Sequence, residues 1–312
     1  MTDLFSAPAL STPVTARSWH QPEGIAPRGT LLVLPGRGEH PLVYERFGRR
    51  LAADGYRVHA LPTAPGDRAE DVLARAAEAA GPDPVAPVIL VGSDTGALQA
   101  LHTAADADPR LPVAGIVVAG AAPTVPVPAA GVARDAAGPW ETELAARTAC
   151  PAHRKRLTDD EEFVRGRLDA PVPDRLRSEA RPAVPALVLH GGADPITPLG
   201  QARELAARLP RATLGVVHDG LHDVLNDASH RTTAAVVVLW LERLRADPTG
   251  RPILTVEEAE DAADAADAAE AAEAEEAADA EEAEAAEAEE AEAGNEAAAA
   301  EQGEEGAEGA RS

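Results

Sequence analysis

Short, unbroken apolar runs alternate along this chain with longer stretches whose apolar residues recur every three or four positions. The runs are Thr30 to Leu34 (TLLVL), Tyr56 to Leu61 (YRVHAL), Val88 to Gly92 (VILVG), Val113 to Ala119 (VAGIVVA), Ala186 to His190 (ALVLH) and Thr213 to Val217 (TLGVV). Their length and β-branched content suit strands buried on both faces. Helical spacing lies between them. Tyr44 to Asp54 has Phe47 and Leu51 four apart and Gly55 to end it, and Asp67 to Ala80 is stopped by Gly81-Pro82. Thr95 to Ala105 and Leu199 to Leu209 are further helices. Ser229 to Arg245 closes the series, with Val236, Leu239, Trp240 and Leu244 as its expected apolar face. Strand and helix alternating at short spacing predict an α/β architecture, a parallel sheet with helices on both faces.

The alternation stops between Gly120 and Pro182. This stretch is rich in Pro and Arg, and it carries Trp140, Cys150 and a charged cluster from His153 to Glu162. It predicts short helices at most and reads as an insertion. The expected organisation is an N-terminal arm over 1–22, a first half of the core over 23–121, a lid or cap over 122–182, a second half of the core over 183–248, and an acidic tail over 249–312.

Charge divides the chain in the same way. The formal net charge is −25, but Glu257 to Ser312 holds 23 acids and one Arg, leaving −3 for the rest. A near-neutral body has no basic stripe for nucleic acid. The tail combines helix-favouring Ala with like charges four apart, which oppose a helix. It has no apolar stripe to dock, so a solvated, largely disordered segment is expected. Its role is solubilising, or else it engages a basic partner. Cys150 is the one cysteine; it reads as a small buried side chain and fits a reducing compartment. No basic stretch followed by an apolar core opens the chain, and the longest apolar run, Val236 to Leu241, is too short to span a bilayer. A soluble, cytoplasmic protein is expected.

Candidate chemistry gathers at the C-terminal ends of the predicted strands, the edge where open α/β sheets bind ligands. Gly92-Ser93-Asp94-Thr95-Gly96 joins a strand to a helix. A nucleophile elbow lifts one side chain above the sheet on strained backbone, and it needs small residues two before and two after. Centred on Asp94 the flanks are Gly92 and Gly96; centred on Ser93 they are Val91 and Thr95, which crowd the turn. Asp94 therefore takes the nucleophile position; the competing reading is an ordinary Gly-rich turn with Asp as helix cap. Asp194, in Gly191-Gly192-Ala193-Asp194-Pro195, and His222, in Asp219-Gly220-Leu221-His222, each follow a strand. Nucleophile, acid and base then come in the chain order such an elbow uses. Asp194 would orient the imidazole, and His222 would act as base toward water. His218 is the alternative base, and His190 is expected to pack nearby.

The Gly-rich turn Pro35 to His40 can aim a backbone N–H at the reacting centre. Arg37 and Thr95 are the expected oxyanion donors. No Gly-x-Gly-x-x-Gly, Gly-Lys-Ser/Thr, His-Glu-x-x-His or cysteine cluster occurs, so no nucleotide, metal or organic cofactor is implied. The expected partner is a small-molecule substrate.

These motifs resemble the monoacylglycerol lipase and lysophospholipase branch of the α/β-hydrolases. That branch has His-Gly-x-Gly-Glu-His, then a Tyr, a helix and Gly-Tyr-x-Val. This chain has Pro35-Gly36-Arg37-Gly38-Glu39-His40, Tyr44, a helix and Gly55-Tyr56-Arg57-Val58. Gly191 to Pro195 and Gly220-Leu221-His222, with Asn226 beyond, also match. The likeness covers most of 28–246 and is least in the insertion, which in the family is a lid over an acyl-chain pocket. It implies the α/β-hydrolase fold and hydrolysis of an ester of a small or lipid-like apolar substrate by an Asp94–Asp194–His222 triad. Three departures stand out: Pro35 replaces the family His, Leu61 to Asp67 replaces a Gly-His-Gly element, and Asp94 replaces the nucleophilic Ser.

The last departure alters the chemistry. A carboxylate attacking an acyl carbon gives an anhydride, whereas on sp3 carbon it displaces a leaving group and forms an alkyl-enzyme ester. Haloalkane dehalogenases and epoxide hydrolases of this fold work in the second way. Their halide-binding Trp is Thr95 here, and the insertion has no Tyr to protonate an epoxide. Three readings follow: an ester hydrolase, an alkyl-enzyme hydrolase, and a non-catalytic binding protein on the same fold.

Overall fold

The computed structural model describes residues 15–106, 108–125, 138–247 and 251–254. The expectations for the acidic tail, and for the arm before residue 15, fall outside the described residues. Among the described residues seven strands form one sheet: β1 (Arg17–Trp19), β2 (Gly29–Leu34), β3 (Tyr56–Ala60), β4 (Val88–Asp94), β5 (Val113–Ala121), β6 (Ala186–Gly191) and β7 (Ala212–Val217). The order is β1-β3-β2-β4-β5-β6-β7. Only β1 is antiparallel to its neighbour, β3; the other pairs are parallel. β1 lay within the expected N-terminal arm. Its three residues, Arg-Ser-Trp, are too few and too polar to announce a strand.

The helices are α1 (Glu45–Ala53), α2 (Ala69–Ala80), α3 (Thr95–Ala105), α4 (Pro139–Arg147), α5 (Pro151–Asp159), α6 (Asp174–Arg177), α7 (Leu199–Arg208) and α8 (His230–Ala246). A 3-10 turn, Pro41–Tyr44, precedes α1 where a single helix from Tyr44 was expected. Each inner strand feeds two cores by its alternation. Leu31, Val33, Ile89, Val91, Leu187 and Leu189 pack with Phe47 and Leu51 of α1 and Trp240 and Leu241 of α8. Leu32, Leu34, Leu90 and Val188 pack with Val72 of α2, Leu98 and Leu101 of α3 and Ala202 of α7. Burying both faces removes the polar alternation, which is why the strands read as unbroken apolar runs.

The buried stripe of α8 differs from expectation. Thr233, Val237, Trp240, Leu241 and Leu244 face inward, whereas Val236 and Leu239 are exposed, Leu239 by 50%. Three consecutive valines and a leucine hide the phase of a helix, and packing against β5 selects it: a Cβ on Gly115 would lie 2.8 Å from the Trp240 ring. The insertion supplies three short helices, α4, α5 and α6, between β5 and β6. No helix among the described residues is long and apolar enough to cross a membrane.

Candidate active site

Asp94 ends β4 and precedes the first residue of α3, with φ 52° and ψ −120°. Such a conformation is costly for a residue with a Cβ and is held only by tight surroundings. Those surroundings are glycine. A Cβ on Gly92 would lie 2.1 Å from the Gly96 carbonyl oxygen, and one on Gly96 would lie 2.1 Å from the Leu34 carbonyl oxygen. Gly36 is equally constrained, since its Cβ would lie 2.7 Å from that of Asp94. The backbone of the Gly-rich turn therefore lies directly against the elbow.

His222 reaches the same point from the loop after β7. Its Nδ1 lies 2.9 Å from Asp194 Oδ2, and its Nε2 lies 3.2 Å from Asp94 Oδ1. Asp194, after β6, is fixed in turn: its Oδ1 accepts the N–H groups of Ile196 (2.8 Å) and Thr197 (3.2 Å). All three side chains are buried. Burial works against charge on His222, but Asp194, through its charge and hydrogen bond, and Asp94 push its pKa up to about 10. The ring is thus an imidazolium at neutral pH, donating to a carboxylate on each side.

Arg37 completes the arrangement in a way the sequence did not announce. Its backbone N–H, an expected oxyanion donor, points at the elbow and donates to Asp94 Oδ2 at 2.8 Å. Its side chain folds onto the same carboxylate, with Nε 2.9 Å from Oδ2 and Nη2 2.8 Å from Oδ1. The guanidinium is 5% exposed, and its Nη1 donates to the Ala170 carbonyl of the insertion. Burial raises the Asp94 pKa, but the Arg37 charge and hydrogen bonds from His222 and Arg37 outweigh it and hold the carboxyl well below its usual range. Thr95, the other expected donor, contributes its hydroxyl 3.4 Å from Oδ2.

A second buried cluster backs the first. Arg147, the last residue of α4, is fully buried. Its Nη2 donates to the Arg37 carbonyl at 2.7 Å and to Glu143 at 2.9 Å. Its Nη1 lies 3.3 Å from Asp223 and 3.7 Å from Glu39. Asp223, next to His222, also lies 3.1 Å from His153 Nε2. Burial raises Asp223, but Arg147 and His153 bring it below its usual range. Glu39 goes the other way: burial and the Asp223 charge raise it despite Arg147.

The insertion is stitched to both loops. Val164 N–H donates to the Gly38 carbonyl, His222 N–H to that of Ala146 and Asp223 N–H to that of Arg147. Asp227 accepts the N–H groups of Leu221 and Ala149 and the Thr148 hydroxyl. Arg147, Asp223 and Asp227 were missed because their role depends on contacts across 70 or more residues; the only local signal was Glu143, four residues before Arg147.

Neither His218 nor His190 is hydrogen-bonded to Asp94. His218 is exposed in the turn before His222. His190 is buried at the end of β6, 3.6 Å from Asp194 and 2.8 Å from the Thr197 carbonyl. Burial lowers its pKa, so it is neutral, with Nε2–H donating and Nδ1 left as an acceptor. Cys150 is buried and free. Among the described residues no cluster of three or more His, Cys, Asp or Glu is placed to hold a metal.

Residues 66–229 match the family model described as serine aminopeptidase, S33. Three solved structures share the fold. A monoacylglycerol lipase from Paleococcus ferrophilus has 22% identity and a TM-score of 0.55, covering 72% of this chain and 97% of its own. A monoglyceride lipase from Saccharomyces cerevisiae, solved with a substrate analogue, has 15% identity and a TM-score of 0.55, covering 73% and 90%. An esterase from a Rhodococcus species has 19% identity and a TM-score of 0.54, covering 73% and 94%. No curated protein matches the chain significantly.

Proposed function

Since this chain belongs to the serine aminopeptidase S33 family of α/β-hydrolases, we propose that it hydrolyses an ester of a small or lipid-like apolar substrate, with Asp94, Asp194 and His222 as its working triad. The observation that carries this is the buried line Asp194–His222–Asp94 at the elbow, with distances of 2.9 and 3.2 Å. Its structural neighbours include two lipases and an esterase, in agreement with that substrate class.

The protonation states give the steps an order. Asp94 is already an anion and needs no base. His222 already carries its proton and can serve as the acid. Asp94 attacks the acyl carbon, the bond to the leaving oxygen breaks, and His222 protonates the departing alkoxide. The covalent intermediate carries no charge on Asp94, and His222 is now neutral. It takes a proton from water, whose oxygen hydrolyses the intermediate and regenerates the carboxylate and the imidazolium. That intermediate is an anhydride; attack on sp3 carbon instead gives an alkyl ester, which suits a carboxylate better, expels the substrate's carboxylate without a proton, and requires His222 to release its proton to solvent before it can act as base. In either case the Arg37 side chain has to leave Asp94 first, while the Arg37 N–H stays in place for the oxyanion.

The test is a panel of short acyl esters, monoacylglycerols, haloalkanes and epoxides, run with wild type and Asp94→Ala. Hydrolysis that survives the substitution removes Asp94 from the nucleophile role. Single turnover in heavy-oxygen water follows each route: label in Asp94 from a haloalkane or epoxide marks an alkyl ester, and label in the product acid from an ester marks acyl transfer.

A second reading is favoured by Arg37 itself. Its three hydrogen bonds and the one from His222 occupy both oxygens of Asp94. A carboxylate so fully satisfied suits a binding protein that keeps the fold without turnover. Ligand binding with no product from any panel member is its signature.

A further inference from the structure

A cavity of about 350 Å³ lies between α3 and α7, under the segment around α6, and none of the three triad side chains lines it. One side of its wall is apolar, with Leu98 and Leu101 from α3, Val188 from β6 and Leu205 from α7. The lining also carries two guanidiniums, Arg177 and Arg208, and one carboxylate, Glu179. Their partners are weak competitors. Arg177 pairs with Asp174, whose side chain is 91% exposed, and exposed pairs contribute little. Arg208 approaches Glu179 only to 4.0 Å, and Glu179 is held at 2.9 Å by Arg181. The volume lies within the range of small-molecule sites. A partly apolar cavity with two weakly engaged guanidiniums is complementary to an amphipathic anion.

From this geometry we infer a second ligand site, separate from the triad, for an aliphatic carboxylate of medium chain length: the chain lies along Leu98, Leu101, Val188 and Leu205, and the carboxylate meets Arg177 and Arg208. The inner wall includes His190 and Thr197. His190 Nε2–H donates to the Thr197 carbonyl, and Thr197 N–H holds Asp194 Oδ1. The occupied site therefore abuts the loop that carries Asp194. The inference concerns binding alone and stands whether or not Asp94 turns over.

Calorimetric titration of the full chain with sub-micellar sodium decanoate tests it. Saturable binding at one decanoate per chain is expected in wild type. The double variant R177E/R208E, altered only at the rim, should bind about tenfold more weakly or worse. Ala202→Phe, which fills the cavity, should abolish binding; if it fails to fold, the rim variant decides. Decanol should bind more weakly than decanoate to wild type, and equally to wild type and the rim variant. No binding by wild type, or affinity for decanoate unaltered in R177E/R208E, overturns the inference.

Discussion

Arg37 and Asp94 are joined three times, once through the Arg37 backbone N–H and twice through its guanidinium, at 2.8, 2.9 and 2.8 Å. One residue thus supplies both a backbone N–H aimed at the elbow and the counter-ion that keeps its carboxylate closed. Removing either partner leaves a buried charge, and this sets the first two predictions.

Asp94→Asn keeps the shape of the side chain but leaves Arg37 and His222 facing each other as buried cations. We expect a stability loss of about 3–5 kcal/mol, measured by urea unfolding. The His222 pKa should fall from about 10, followed by the imidazole proton resonances. A His222 titration unchanged in the variant would contradict the assigned contact.

Arg37→Met removes the guanidinium and keeps the backbone N–H. Stability should fall by about 3–5 kcal/mol, while hydrolysis of the preferred panel substrate should rise. Absent turnover in a folded variant would favour the binding-protein reading, and unaltered turnover would contradict the need for the guanidinium to leave Asp94.

Stability should depend on pH on both sides of a plateau. His222 has a raised folded pKa, about 10 against an ordinary value of about 6.5. Its contribution is full below about pH 6.5 and is lost as pH climbs toward 10. Asp94 has a depressed pKa, so its contribution is present above about pH 4 and is lost on acidification. Urea midpoints should therefore be highest between about pH 4 and 6.5 as far as these two groups decide. The alkaline loss should be of the order of a few kcal/mol and be missing in His222→Gln.

Gly96→Ala places a methyl 2.1 Å from the Leu34 carbonyl oxygen. Backbone cannot yield as a side-chain tip does, so the cost should be about 3 kcal/mol or more. Gly66→Ala, whose new Cβ meets nothing within 4 Å, should change stability by roughly 0.5 kcal/mol or less. Thermal melts of the two variants give the comparison.

Much of this was legible before any coordinates. The inner strands were readable because burial on both faces leaves only apolar side chains in them. Asp94 was readable because the elbow tolerates no Cβ at Gly92 or Gly96, a steric rule visible in five consecutive residues. Asp194 and His222 were readable because each follows a strand at the ligand-binding edge. The Arg37 side chain was not, because an arginine between two glycines looks like a surface residue until its partner 57 positions away is known. Arg147 and Asp223 escaped for the same reason. The inward stripe of α8 escaped because a run of valines has no polar residue to mark the outward side.

The hydrogen bonds from the His222 and Asp223 amides to Ala146 and Arg147 bear on how anything gets in. Swinging the inserted segment away like a hatch would unpin the imidazole at the moment it is needed. Admission has to come from a local side-chain displacement, with Arg37 retreating while the main chain stays fastened. What can then enter beside Asp94 is a group about as large as the planar one it displaces, and the bulk of any larger molecule has to remain outside.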